Sequence, residues 1–227
     1  MMNVGVLGTG PVGQAVAAKL SELGHAVLVG TRDPAATLER TATGTFGNPP
    51  FKEWREQHPG IALGTFAQAA SHGDLVVNAT QGSASLEALQ AAGESALAQK
   101  ILVDMANPLD FSTGVPLTLT VCNNDSLGEQ IQRAFPLTKV VKTLNTMYAS
   151  LVVAPKQLAD GAHTVFVSGN DGSAKATVIA LLKRFGWQDI FDLGDITTAR
   201  GPEMMLPIWV RIFAATQTPM FAFKLVR

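Results

Sequence analysis

Three glycines near the start of the chain have the spacing of a phosphate-binding turn. Gly8, Gly10 and Gly13 form a G-x-G-x-x-G pattern between a short apolar run and a segment of helical periodicity. In this setting the first glycine allows a sharp turn, the second lets the backbone approach a pyrophosphate, and the third lets helix and strand pack closely. The start of the helix offers free N–H groups and a positive dipole end to phosphate oxygens. The pattern predicts a dinucleotide site; the alternative is a glycine-rich turn in an unrelated α/β protein.

The residues after the second predicted strand favour NADP over NAD. NAD sites usually place an acidic residue there for the ribose 2′-hydroxyl, whereas NADP sites offer arginine and small hydroxyls to the 2′-phosphate. Here Thr31 can donate a hydrogen bond and Arg32 supplies a planar, permanent cation. Asp33 is the counter-argument, since it could take the acidic role of an NAD site, but it follows the arginine and precedes Pro34, where capping of the next turn is the plainer explanation. The sequence therefore predicts NADP(H); a solvated surface charge is the alternative for Arg32.

The elements that must position these residues alternate between strand-like and helix-like apolar patterns. Such alternation predicts a Rossmann-type, doubly wound α/β fold with a mainly parallel sheet. We expect an NADP-binding domain over 1–146 and a smaller C-terminal α/β part over 147–227 that completes the acceptor site and a dimer interface. Segment 41–60 is predicted as a long loop with one helical turn near Trp54, a flap beside the cofactor. The predicted strands are 3–7, 25–30, 74–79, 101–105, 139–144, 164–168 and 189–193, and the predicted helices are 12–23, 84–98, 126–135 and 173–185.

Two predicted loops should line the ligand space, since ligands of doubly wound sheets bind at the carboxyl ends of the strands. One runs from Asn78 to Gly82 and the other from Asp104 to Pro108. Asn78 and Asn107 are polar groups at those ends, and both equally fit the role of turn-forming asparagines.

Groups suited to acid–base or metal chemistry are scattered. The chain has no nucleophile elbow, no carboxylate pair in a readable arrangement and no histidines at metal-ligand spacing. We therefore predict neither a catalytic side chain nor a metal site. Hydride transfer tolerates this, because the cofactors carry the chemistry and the protein holds the reacting carbons face to face. The histidines are His25, His58, His72 and His163.

The balance of charged residues argues against nucleic acids and membrane surfaces as partners. Seventeen basic and eighteen acidic residues leave a net charge of −1, which is unlike proteins that bind nucleic acids or membrane surfaces. The single Cys122 is predicted to be a buried, inert thiol and fits a reducing, cytoplasmic setting; no signal peptide is predicted.

The apolar segment 204–226 is predicted to be a buried helix or a subunit interface rather than a membrane span. Arg211 stands inside it, and Pro207 and Pro219 divide it into short pieces.

Four stretches give the chain a family resemblance. Residues 6–13, 23–32, 140–146 and 192–200, followed by Glu203, resemble the NADPH-dependent reductases of the deazaflavin coenzyme F420. The 192–200 stretch is also similar to the cytoplasmic domain of STEAP-type metalloreductases. The sequence departs from the family at Ala36, where the family has a basic residue, and at Asn145, where archaeal members have a histidine.

The resemblance implies a homodimer and a set of binding residues. Thr9, Gly10, Pro11 and Val12, beside Gly8, would contact the pyrophosphate, and Thr31 and Arg32 the 2′-phosphate. Thr80, Ala106 and Ala149, with Asn107 in the same loop as Ala106, would lie along the nicotinamide half, and Asn145, Met147 and Leu206 against the acceptor.

These observations favour an NADP-dependent oxidoreductase that passes hydride to F420 or to a flavin, FMN or FAD. The rival is a non-catalytic NADP-binding sensor or partner protein. A hydroxyacid dehydrogenase is disfavoured because it needs a general acid near the nicotinamide, and Lys139 and Lys142 lie within a predicted strand rather than at its end.

Overall fold

A computed structural model describes residues 1–43, 49–112, 114 and 116–227. Over these residues the chain forms ten strands, eleven α-helices and three short 3-10 helices. The strands are β1 (Asn3–Leu7), β2 (Ala26–Thr31), β3 (Ala62–Thr65), β4 (Leu75–Asn78), β5 (Ile101–Asp104), β6 (Leu109–Asp110), β7 (Thr118–Leu119), β8 (Lys139–Thr143), β9 (Thr164–Gly169) and β10 (Asp189–Gly194). The α-helices are α1 (Pro11–Glu22), α2 (Pro34–Glu39), α3 (Phe51–Gln57), α4 (Phe66–His72), α5 (Gly82–Ala92), α6 (Glu94–Leu97), α7 (Leu127–Ala134), α8 (Ala149–Val153), α9 (Gly172–Phe185), α10 (Arg200–Met204) and α11 (Leu206–Thr216).

The main sheet has eight strands in the order β10-β9-β8-β5-β4-β1-β2-β3. Every pairing from β3 to β8 is parallel, β8 and β9 pair antiparallel, and β9 and β10 are parallel to each other. This confirms the predicted mainly parallel, doubly wound sheet. The strand order reverses between β1 and β4, so a crevice opens at their carboxyl ends.

Both faces of the sheet are buried, which explains the continuous apolar runs of its central strands. Val4 and Val6 of β1 point into one core, which also contains Trp187, and Leu7 points into the other. Residues on both sides of position 146 contribute to the first core, for example Val16 and Val165. The division into two domains stays a prediction.

Sequence patterns missed the edge of the sheet and misjudged one helix. β3 is short, only partly buried and interrupted by Gly64, so its apolar alternation is weak. α4 follows it directly, started by a capping box of Thr65 and Gln68. The helix predicted over 84–98 begins at Gly82 and breaks at Gly93, which has a positive φ of 95°.

The predicted loop 41–60 contains more structure than one turn. The helical turn near Trp54 is α3, whose Phe51 and Trp54 are buried in the core. Residues 44–48 of that loop, and with them part of the predicted flap, lie outside the described residues.

Two expectations about burial are wrong. Cys122 is exposed, because it lies in the irregular segment between β7 and α7 rather than in either core. α11 is not a buried helix of this chain: Leu206 and Val210 are covered, while Ile208 is half exposed. The other interpretation of this segment, a subunit interface in a homodimer, stays a prediction. In the part of the chain that the structure describes, no helix is both long and apolar enough to cross a membrane.

Candidate functional site

The glycine turn between β1 and α1 contains two glycines that the fold requires and one that it does not. Gly8 has a φ of +115°, and a Cβ added to Gly13 would lie 2.1 Å from the carbonyl oxygen of Gly8. Gly10 has an ordinary φ of −74°, and a Cβ there would meet no atom within 4 Å. Neither backbone conformation nor packing therefore explains a glycine at position 10. A glycine at this position would let a ligand approach the backbone closely.

The start of α1 faces the same space. Gly10 is its N-cap, no side chain caps the helix, and its first turn holds no acidic residue. The N–H groups of a first turn lack acceptors within their own helix, so this end can bind an anion. The Gln14 side chain donates to the Thr9 carbonyl oxygen at 2.8 Å and braces the turn. Thr9, Pro11 and Val12 are partly exposed around it.

The carboxyl end of β2 presents an exposed cation, Arg32, to the crevice. Arg32 is exposed, and its guanidinium lies 3.1 Å from the carboxylate of Glu87 on α5. Thr31 differs from the expectation that it faces a phosphate: its hydroxyl is buried and hydrogen-bonded to that of Thr37 at 2.9 Å. Asp33 accepts from the N–H of Ala36 at 3.0 Å, which confirms its predicted capping role.

Polar side chains at the end of β4 form a buried network. The Thr80 hydroxyl donates to Asn78 Oδ1 at 2.6 Å and lies 2.8 Å from the Ser85 hydroxyl. Asn78 Nδ2 donates to Asp104 Oδ1 at 2.8 Å. Asn78 thus both shapes its own turn, by accepting from the N–H of Thr80, and links the loops after β4 and β5.

The network continues into a buried ionic cluster that the sequence analysis missed. Lys142 Nζ lies 2.8 Å from Asp104 and 2.8 Å from Glu203, and the three side chains are at most 1% exposed. Burial lowers the pKa of Lys142, but the Asp104 and Glu203 carboxylates outweigh this and raise it above its ordinary value. Lys142 is therefore a cation at neutral pH. The available signal was a lysine inside an apolar strand, since lysine is almost never fully buried without a partner.

Glu203 also closes the start of α7. Its carboxylate accepts from the N–H of Leu127 at 2.7 Å and of Gly128 at 3.0 Å. A negative charge here is favourable because the helix dipole is positive at this end. Glu203 thereby ties α10, from the C-terminal part of the chain, to the carboxyl edge of the sheet.

Two predicted site residues, Asn107 and Asn145, bind each other. Asn107 Nδ2 donates to the Asn145 carbonyl oxygen at 2.8 Å, and Asn145 Nδ2 donates to Asn107 Oδ1 at 3.0 Å and to the Pro202 carbonyl oxygen at 3.2 Å. A Cβ on Gly82 would lie 1.8 Å from the Asn107 carbonyl oxygen, so α5 begins directly against this loop. The loops after β4, β5 and β8 therefore form one connected wall.

The structure gathers most of the predicted residues at the carboxyl edge. Thr80, Ala106, Asn107 and Asn145 join through this network, and Gly8 to Val12 and Arg32 follow the neighbouring strands. Ala149 begins α8 and Leu206 begins α11, both buried, while Met147 is partly buried against the core. Their roles in binding stay predictions. The described residues contain no group of side chains able to hold a metal ion.

Comparison with known proteins gives matches over the whole chain. Residues 3–108 match the model of the family described as NADP oxidoreductase, coenzyme F420-dependent. A crystal structure of a candidate F420-dependent NADP-reductase from Arthrobacter sp. FB24 is 58% identical, with a TM-score of 0.95 and full coverage of both chains.

More distant matches share part of their length or only the fold. Metalloreductase STEAP3 of Rattus norvegicus is 29% identical over 212 residues, which cover 91% of this chain and 38% of that protein. The chain thus spans well under half of this curated relative. A reductive aminase from Aspergillus terreus, in complex with NADPH, is 17% identical with a TM-score of 0.62, covering 96% of this chain and 64% of that one. At that identity the likeness shows the fold alone.

Proposed function

The chain belongs to the family of coenzyme F420-dependent NADP oxidoreductases, and we propose that it binds NADPH and passes hydride from it to a deazaflavin or flavin acceptor. The main support for the proposal is Gly10. It stands at the uncapped start of α1, and the packing of the protein does not require a glycine there. A pyrophosphate lying against the backbone of residues 8–12 gives it a reason.

Arg32 is the group that would select the 2′-phosphate. It stands exposed at the end of β2, the position at which the fold places the adenosine ribose. The Thr31 hydroxyl is hydrogen-bonded to that of Thr37. In this proposal Thr31 therefore lies beside the 2′-phosphate but is not its main hydrogen-bond donor.

The connected wall would hold the nicotinamide half. Bound NADPH supplies a hydride from its nicotinamide ring, and the acceptor takes up that hydride together with a proton from solvent. Thr80, Ala106, Asn107 and Ala149 would line the nicotinamide, and Asn145, Met147 and Leu206 the acceptor. The side-chain N–H groups of Asn145 already donate to Asn107 and Pro202, so Asn145 would shape the acceptor side rather than donate to it.

Anaerobic mixing of the purified chain and NADPH with F420, FMN or FAD, each in turn, tests the function. We expect the near-ultraviolet absorbance of NADPH to fall with at least one acceptor. Tight binding of NADPH without turnover of any of the three would refute hydride transfer and support a non-catalytic NADP-binding protein.

Arg32→Gln is expected to weaken NADPH binding by about tenfold or more and to leave NADH binding unchanged. A hydrogen bond to a charged group contributes roughly 1.5–3 kcal/mol, and about 1.4 kcal/mol corresponds to tenfold in affinity. Titration calorimetry with both dinucleotides measures the effect, and Lys183→Gln, at an exposed position on α9, is the control. Equal losses of affinity for NADPH and for NADH would show that Arg32 does not recognise the 2′-phosphate.

Glu87→Gln is expected to act in the opposite direction and tighten NADPH binding by about two- to fivefold. The Glu87 carboxylate holds Arg32 in an exposed ion pair, which is weak, and would repel a 2′-phosphate bound to the same guanidinium. The gain should shrink as salt is added, since exposed charges are screened. Glu94→Gln, an exposed carboxylate on α6, controls for net charge. A weaker affinity for NADPH in Glu87→Gln would instead assign Glu87 the task of orienting Arg32.

A further inference from the structure

The buried cluster behind the connected wall carries more negative than positive charge. Asp104 and Glu203 together hold one cation, Lys142. The groups that bond to the two carboxylates are all donors: Asn78, the N–H of Ala106 and Lys142 for Asp104, and two helix N–H groups and Lys142 for Glu203. Two carboxylates and one ammonium give the cluster a formal charge of −1 in a region sealed from solvent.

The cluster lies one peptide away from the surface expected to meet the nicotinamide. The N–H of Ala106 donates to Asp104 Oδ1 at 3.2 Å, and the carbonyl oxygen of Ala106 accepts from Lys142 Nζ. Both backbone polar groups of Ala106 are thus held by the cluster, and Asn107, the next residue, pairs with Asn145.

We propose that the Asp104–Lys142–Glu203 cluster tunes the bound cofactor electrostatically, by stabilising the cationic ring of NADP⁺ over the neutral ring of NADPH. The inference rests on the proposed function. When hydride leaves the ring with its two electrons, the ring gains a positive charge, and the acceptor gains the hydride. A fixed negative charge in a medium of low dielectric favours the more positive state. The α7 dipole at Glu203 offsets part of the excess charge and leaves its sign unchanged. The cluster makes bound NADPH a stronger hydride donor.

A purely structural cluster would behave differently. Loss of one carboxylate would then disturb the pocket and weaken both cofactor forms by similar factors, because both share the same shape outside the ring. Charge tuning changes the ratio of the two affinities. The ratio of Kd for NADP⁺ to Kd for NADPH therefore separates tuning from scaffolding.

Glu203→Gln in the full-length chain tests the proposal, since it removes the excess charge and keeps the shape of the side chain. Titration calorimetry with NADP⁺ and with NADPH should show that the Kd ratio rises by about three- to tenfold. Asp104→Asn removes the other carboxylate and should shift the ratio in the same direction. Glu22→Gln, an exposed carboxylate at the far end of α1, should leave the ratio unchanged.

A third probe, 2′-phospho-ADP-ribose, lacks the nicotinamide and reports on the fold and the adenosine half alone. Its Kd should stay at the wild-type value in both variants. A Kd ratio within twofold of wild type, in a variant that binds this probe normally, would overturn the proposal. Failure of the wild-type chain to bind either dinucleotide would instead refute the proposed function itself.

Discussion

Gly10→Asp is expected to abolish NADPH binding, by more than about 100-fold, while the protein stays as stable as the wild type. The new Cβ meets no protein atom within 4 Å, and aspartate is among the most favourable N-cap residues. The side chain would nevertheless occupy the space expected for the pyrophosphate and place a negative charge against it. Few substitutions are expected to separate stability from binding so fully.

Thermal unfolding and calorimetric titration of the same samples make this measurement. Gly172→Asp is the matched control, because Gly172 begins α9 and also has open space at its Cβ, but lies away from the crevice. It should bind NADPH like the wild type. Gly13→Ala should lower stability, since its Cβ would lie 2.1 Å from a carbonyl oxygen. If Gly10→Asp bound NADPH normally, the pyrophosphate would not lie at this turn.

Lys142→Met is expected to destabilise the protein by about 3–5 kcal/mol, the usual range for removal of one partner from a buried ion pair. Asp104 and Glu203 would then face each other without a counterion in a site closed to solvent. Since the pKa of Lys142 is raised in the folded protein, its contribution is complete below the ordinary pKa of lysine. It is lost only as the pH rises through the raised value, so the loss in Lys142→Met should be constant across neutral pH.

Denaturant unfolding of Lys142→Met and of Lys139→Met compares the free energies of unfolding lost at a buried and at a partly exposed lysine of the same strand, β8. Lys139 is partly exposed and pairs with Asp171 at 3.3 Å, so its removal should cost less than about 1 kcal/mol. Adding Asp104→Asn and Glu203→Gln to Lys142→Met should recover part of the loss, because the uncompensated charges disappear. Equal effects of the two lysine variants would contradict the ionic role of Lys142.

The parts of the fold that the sequence predicts well are those set by local pattern. The glycine turn and the strands 3–7, 101–105 and 164–168 were predicted to within a residue, because strands buried on both faces have continuous apolar runs. The sequence does not predict β3, because this edge strand contains Gly64 and has no continuous apolar run.

The sequence does not predict the ionic cluster, for a different reason. Asp104, Lys142 and Glu203 come from β5, β8 and α10, and they meet only because β5 pairs with β8 and α10 returns to the carboxyl edge of the sheet. The sequence places Lys142 within a strand rather than at its end, and a lysine in an apolar strand indicates a buried partner. Thr31 shows the reverse case, since its type suits a phosphate but its hydroxyl is turned inward to Thr37.

Calorimetric titration of the unmodified chain with NADPH and with NADH measures whether the crevice binds a dinucleotide and recognises its 2′-phosphate. We expect saturable binding of NADPH that is at least about tenfold tighter than that of NADH, because one arginine would contact the 2′-phosphate. Absence of binding by both dinucleotides at millimolar concentration would contradict it.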